Sequence, residues 1–383
     1  MTTVVVSAYN VASFPEGGGH FWVYMQYVQG LRRLGCEVYW LEALLSSGDP
    51  ERDIMALAAF EQRMDGFGLG GKVILYRGQT DGEGGLPCEY VGLRRSDAEA
   101  VFRRADLLLN FHYGIDPALL ACFGRTALVD IDPGLLQFWI SRGQLRVSPH
   151  HRYFTTGETV GTPAARFPDC GINWLHIRPP VCLEAWPYVT RAGRRVFTTV
   201  SNWYGLDWIV DGDEVHENTK RVAFLPYAEL PRLTPQPLEL ALFLIPTDAA
   251  DRQFMQCHGW RIRHSREVTG TPETYQAYVQ SSRGEFSCAK PSCMMFQNAW
   301  VSDRTLCYLA SGRPVVVQDT GPSAFLPNGE GMFRFSTIGE AVEALAAINA
   351  DYARHRRAAR ELAESYFDAR RICERLLNLT LRA

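Results

Sequence analysis

Short apolar runs that empty into polar or glycine-rich stretches recur along the whole chain, and between them the hydrophobic period shifts to that of helices. Residues 3–7, Thr-Val-Val-Val-Ser, form an unbroken apolar run of the kind that makes a strand buried on both faces. The polar stretch 10–20 follows and ends in Gly17-Gly18-Gly19-His20. Apolar positions at Phe21, Val23, Tyr24, Tyr27, Val28 and Leu31 then mark one face of a helix that Gly35 closes. A second strand is predicted over 36–41. Strand, glycine-rich loop, helix and strand make the unit of a doubly wound parallel sheet. An amphipathic helix after Pro50 and strands over 72–77, 105–112 and 125–132 continue it, with a glycine-rich turn around Asp81. Residues 154–158 resemble another strand-to-loop exit.

The pattern restarts after a proline-rich extended segment at 178–187 and a polar stretch at 191–195. Residues 196–203 read as a fresh strand and loop. Residues 238–245 are apolar at most positions, and periodicity alone does not decide between helix and strand there. A helix is predicted over 271–280. Ser302 and Asp303 are residue types that cap helices, and Leu306, Leu309 and Ala310 give the helix its apolar face. Gly312 stops that helix, Pro314 forbids its continuation, and Val315, Val316 and Val317 form a buried strand. The strand empties into Gln318-Asp319-Thr320-Gly321. Helices are expected over 338–352, 355–367 and 368–381.

Length makes two domains the expectation, because one core rarely keeps growing to 383 residues. The boundaries read from the sequence are 1–188, 189–366 and a terminal helix over 367–383. A net charge of -3 gives no electrostatic footprint for nucleic acid or an anionic membrane. No run reaches the ~20 apolar residues a bilayer span needs. The first residues lack a basic, then long apolar, leader pattern, so a cytoplasmic protein is expected. The cysteines form no Cys-x-x-Cys pair, which reads as buried thiols in a reducing compartment, not zinc ligands.

Candidate chemistry collects at strand ends and helix starts. The contiguous glycines are neither a dinucleotide fingerprint nor a phosphate loop. They are expected to leave backbone room for a substrate beside His20, whose imidazole suits a general base; the alternative is a helix cap. Asp130 and Asp132 match a short Asp-x-Asp metal motif, but an extended strand points them to opposite faces. A turned strand would let Asp132 orient an acceptor. Asp211-Gly212-Asp213 is read as a turn. His150 and His151 lack carboxylate neighbours at ligand spacing. Around the helix start at Ser302 and Asp303, Arg283, Lys290 and Arg304 bring positive charge, while Ser287 and Thr320 bring hydroxyls. That concentration predicts diphosphate binding.

The run Tyr308-Leu-Ala-Ser-Gly-Arg-Pro-Val-Val-Val resembles the donor-binding half of GT-B glycosyltransferases, as do the residues that follow, Leu326-Pro-Asn-Gly-Glu-Gly and Phe335-Ser-Thr-Ile-Gly-Glu. Arg283-Gly-Glu-Phe-Ser and Ser302-Asp-Arg are similar to a less described subgroup of presumed glycosyltransferases. The resemblance implies two Rossmann-like doubly wound domains facing across a cleft, with the last helix crossing back near Phe367-Asp368. It implies a nucleoside-diphosphate sugar as donor, an unidentified acceptor, and no cofactor or metal. Gly18 and Gly19 would face the cleft, His20 would deprotonate the acceptor, and the loop holding Asn202 and the following Lys220 would approach the diphosphate. Ser302, Thr320 and Gly321 would belong to the donor site, Glu285 would meet the sugar, and Asp303 would accept from the ribose hydroxyls. Retaining members carry a second glutamate where this chain has Cys307, so the resemblance does not predict retention. A nucleotide-sugar epimerase and a catalytically silent partner of another transferase are the alternatives.

Overall fold

A computed structural model describes residues 1–77, 89–191, 193–204 and 208–382. The glycine-rich turn expected around Asp81 lies outside the described residues. The amino-terminal half builds one sheet from β1 (Thr3–Ser7), β2 (Glu37–Ala43), β3 (Val73–Arg77), β4 (Glu89–Gly92), β5 (Leu107–Asn110), β6 (Thr126–Asp130), β7 (Arg152–Thr155) and β8 (Trp174–His176). Their order is β4-β3-β2-β1-β5-β6-β7-β8. Every pairing is parallel except β3 with β4. β1 is buried at all its positions, as its uninterrupted apolar run requires of a strand covered on both faces.

The carboxyl-terminal half begins with β9 (Phe197–Asn202) and a small antiparallel hairpin of β10 (Trp208–Asp211) and β11 (Glu214–Glu217). Asp211-Gly212-Asp213 is its turn region, with Gly212 at φ 63°. The second sheet adds β12 (Leu238–Phe243), β13 (Arg261–His264), β14 (Gly284–Ser287), β15 (Val315–Gln318) and β16 (Met332–Phe335), ordered β13-β12-β9-β14-β15-β16 and parallel throughout. The undecided 238–245 run is therefore strand β12, central and buried. Gly312, at φ 69°, ends the Asp303–Ala310 helix as expected. Ser302 stands at its cap position without a side-chain capping bond.

Among the boundaries that differ from the sequence reading, three bear on the site or its frame. The first long helix runs Gly18–Arg33, so Gly18, Gly19 and His20 form its first turn and not a loop before it. The helix expected over 338–352 stops at Ala350, where Asp351 caps a new helix, Tyr352–Tyr366, by accepting from the Arg354 N–H. The strand expected over 105–112 is shorter, because Asn110 turns its side chain back onto the His112 amide and carbonyl.

One apolar cluster runs through both halves. It joins Val4, Phe21, Tyr27 and Leu31 to Tyr275, Leu306, Tyr308 and Val315. The closing helix, Ala369–Leu381, lies on the first helix, and the chain leading into it pairs with residue 181 in a short bridge, Val181 N–H to Phe367 O at 2.7 Å. No helix among the described residues is long and apolar enough to cross a membrane.

Candidate functional site

The carboxyl ends of the two sheets face one another across a chamber of about 600 Å³. On the amino-terminal side its wall is shaped by two buried carboxylates that never reach it. Glu42, on β2, accepts from the Val11 amide at 2.5 Å, the Ala12 amide at 2.8 Å and the Trp40 indole at 2.9 Å. Asp130, at the end of β6, accepts from Gln137 Nε2, the Thr155 hydroxyl and the Asp132 amide, each at 2.9 Å. Burial pushes both carboxyls up to about 7, while these donors work in the opposite direction. Each oxygen receives a proton donor, so both carboxylates serve as staples for the loop that follows a strand.

Asp132, two residues on, lines the chamber. The Tyr113 hydroxyl donates to its Oδ2 at 3.2 Å and receives the Ile131 and Asp132 amides. The Asp-x-Asp pair is thus divided, one carboxylate inward and one to the chamber. No group of three or more His, Cys, Asp or Glu among the described residues is placed to hold a metal ion. His150 and His151 are likewise structural: His150 bonds Asn110 and the Ser148 carbonyl, and His151 Nδ1 accepts from the Thr126 amide.

His20 lines the chamber at the start of the first helix, and its Nε2 lies 2.8 Å from the Tyr9 carbonyl. A carbonyl only accepts, so Nε2 carries the proton and the neutral ring's basic nitrogen is Nδ1. Burial lowers the imidazole pKa, against the Tyr9 hydrogen bond and the Asp132 charge. The glycines beside it also have a packing role. A Cβ on Gly18 would lie 2.3 Å from the Thr271 carbonyl oxygen, and one on Gly19 would lie 2.8 Å from the Tyr275 ring. They let the other half of the protein approach this closely while themselves lining the chamber, where the sequence reading put them.

The opposite wall is rich in cations. Asn202 ends β9, and Lys220 opens the short helix Lys220–Phe224 after the hairpin. The Lys220 ammonium is buried and donates to the Cys288 carbonyl, and burial, with Arg304 nearby, pushes it down to about 7. Lys290, Ser302, Asp303 and Arg304 complete that wall, the last two in the first turn of the Asp303–Ala310 helix. Asp303 is held above the usual carboxylate range by burial, with Arg304 opposing.

The other sequence candidates stand back from the chamber. Ser287 and Thr320 line a smaller recess behind it, bordered also by Lys220, Ser302 and Arg304. The Thr320 hydroxyl is spent on the Trp300 carbonyl at 2.7 Å, and Gly321 packs against the Gln297 carbonyl. Glu285 is fully buried behind Arg304. Cys307 is buried too, bonded to Gln26 and to the Asp303 carbonyl. Arg283 is a correction. It precedes β14, at the end away from the chamber, where it bonds Asn349 and stacks on Tyr352 at 3.9 Å.

Sequence reasoning missed Arg266, Phe243, Tyr204, Asn218 and Trp300, which all line the chamber. Arg266 bridges to Glu16 across it at 3.1 Å and lies over the Phe243 ring. Its position just past β13 was the available signal. The hairpin ties the two halves together: Arg142 pairs with Asp211 at 2.6 Å, Gln144 donates to the Val210 carbonyl at 2.7 Å, and Ile209 is buried with Leu135 and Phe138.

No protein-family model and no curated protein matches the chain. Solved structures do. A sucrose-phosphate synthase from Thermosynechococcus elongatus superposes with TM-score 0.56 at 11% identity, over 99% of this chain and 98% of that one. HepE from Anabaena, in complex with UDP and glucose, gives 0.57 at 10% identity over 99% of each. An alpha-glucosyltransferase in complex with UDP-glucose and DNA containing an abasic site gives 0.59 at 11% identity over 98% of each. At such identities the likeness speaks for the fold.

Proposed function

We propose that this chain, which has the GT-B fold of those structures, is a glycosyltransferase that moves a sugar from a nucleoside diphosphate to a nucleophile on an acceptor. The observation that carries the reading is the division of charge across one chamber. Lys220, Lys290 and Arg304 gather with a helix amino end on one wall, and His20 and Asp132 face them from the other. A departing diphosphate needs cations and helix N–H groups around its developing charge. An acceptor hydroxyl needs a base within reach of its proton, and a neutral imidazole whose Nε2–H is engaged by a carbonyl leaves Nδ1 for that purpose. The neighbours named above that hold UDP, UDP-glucose or glucose support a nucleotide-sugar donor.

In this reading the bond from the anomeric carbon to the diphosphate oxygen breaks, the acceptor oxygen takes that carbon, and its proton passes to His20. Asp303, at the helix start, accepts from the ribose hydroxyls. Protein cations hold the leaving group, so the reaction is metal-independent. The test is incubation with a panel of nucleotide sugars, with and without EDTA. Release of nucleoside diphosphate that EDTA leaves unchanged supports the reading. An isomerised donor makes the protein an epimerase, and binding without turnover makes it a silent partner. Loss of turnover in EDTA, restored by Mn²⁺, overturns metal independence.

A further inference from the structure

The strand order of the second sheet reverses between β9 and β14, and a ligand crevice in an open parallel sheet lies outside the carboxyl ends of the strands at such a point. A buried ion pair stands at that place. Glu285 on β14 is fully buried, and its Oε1 accepts from Arg304 Nε at 2.7 Å. Arg304 Nη1 donates to the Val200 carbonyl on β9 at 2.9 Å. The guanidinium is thus tied to both strands flanking the reversal. Its Nη2 has no protein partner among the described residues, on a side chain that lines the chamber. Glu285 Oε2 is buried with no partner among the described residues, so Arg304 is the one hydrogen-bonded contact of this carboxylate among them.

We infer that Glu285 is a positioning residue that aims the free edge of Arg304 at the diphosphate of the donor, and does not itself touch the sugar. The inference rests on the donor-site reading given above. The physical argument concerns what a buried guanidinium does without its partner. Burial works against the Arg304 charge, and Glu285 works for it, with the balance raised. Removing one member of a buried pair leaves the other uncompensated, and a long side chain then turns toward water or another acceptor. A planar fork held at Nε and Nη1 has one rotational setting, and only in that setting are its remaining N–H bonds directed. The carboxylate's own charge acts in the opposite sense, since it repels a diphosphate. Positioning and plain Coulomb attraction therefore predict opposite signs for the same substitution.

Calorimetry on the full chain with UDP, GDP, dTDP and ADP decides the matter, followed by the monophosphate of whichever nucleotide binds. Arg304→Ala and Glu285→Ala are both expected to weaken the diphosphate by about tenfold or more, and the monophosphate by less than about threefold. The double variant should be no weaker than Arg304→Ala alone by more than about threefold, because the two groups act as one unit. Glu285→Gln keeps an acceptor for Nε and should stay near wild type, whereas Glu285→Asp, shorter by one methylene, should bind about tenfold more weakly. If Glu285→Ala does not fold, the order of the Gln and Asp variants decides. Tighter or unchanged diphosphate binding in Glu285→Ala, Glu285→Asp binding as well as wild type, or equal loss of di- and monophosphate overturns the inference. Wild type that binds none of the four nucleotides overturns the donor reading itself, a different result from any of these.

Discussion

The two walls of the chamber use their charged side chains differently. On the amino-terminal wall most carboxylate chemistry is spent inside the protein: Glu42 and Asp130 take up loop amides and side-chain donors, and only Asp132 of that set reaches the chamber. On the carboxyl-terminal wall the charges stand at the surface of the chamber while being anchored behind it. Lys220 is tied to the Cys288 carbonyl and Arg304 to Glu285 and Val200. One wall uses charge to hold backbone in shape; the other uses backbone to hold charge in place. Fixed dipoles and cations need no reorganisation when charge develops on a ligand, which is the condition for electrostatic catalysis.

The largest effect should separate the walls outright. His20→Ala is expected to lower turnover by about 10²–10⁴-fold while donor affinity hardly changes, since the groups proposed for the donor lie on the opposite wall. Turnover and nucleotide binding measured in the same variant check this. Near-normal turnover would return His20 to a helix-start cap. The pH dependence has a fixed sign. Burial lowers the His20 pKa from 6.5, so the basic form persists below that value, and the acid limb of the rate profile should fall below pH 6.5. The same depression means His20 favours the folded state above pH 6.5, and that contribution is lost as pH falls through its folded value.

The next effect sharpens the other wall. Asp303→Ala should weaken nucleoside diphosphate binding by about 1–3 kcal/mol, the worth of a lost hydrogen bond to a charged group. Calorimetry reads it directly, and unchanged affinity would remove Asp303 from the ribose. The smallest effect concerns the bridge between the walls. Arg142 and Asp211 are about half exposed, so Arg142→Ala should cost less than about 1 kcal/mol of stability in a denaturation curve. A larger loss would mean that the hairpin is held mainly by this pair and not by buried Ile209.

What the sequence made legible follows from how local each cause is. The β1 run, the stop at Gly312 and the turn at Gly212 are set by residues adjacent in the chain, and these elements form where the pattern puts them. The capping box at Thr271 is of the same kind. Gly18 and Gly19 have a packing cause that no local pattern holds, because the atoms that crowd them belong to residues 269–275. Arg283 was misplaced for a similar reason. It sits among chamber residues in sequence, yet β14 starts just after it, which puts it at the strand's amino end, away from the crevice. Glu285 and Arg304 were both singled out, but their bond joins a strand to a helix start and had no sequence signature. Arg266 needed β13 to be recognised first.

The helix that closes the chain has a consequence for how the protein is made. Gly30 on the first helix lies so close to it that a Cβ would sit 2.7 Å from the Ala369 carbonyl oxygen, and Cys373 donates to the Tyr27 carbonyl at 3.6 Å. Tyr27, Val28 and Leu31 share their apolar cluster with Cys373 and Leu376. A ribosome adds residues at about 5–20 per second, so the first helix waits some tens of seconds for its cover. Until then the first helix carries an uncovered apolar stripe, and its packing is completed only once residues 369–381 have been synthesised. A nascent chain halted before Ala369 should therefore be retained by chaperones, and release should coincide with the arrival of the last helix.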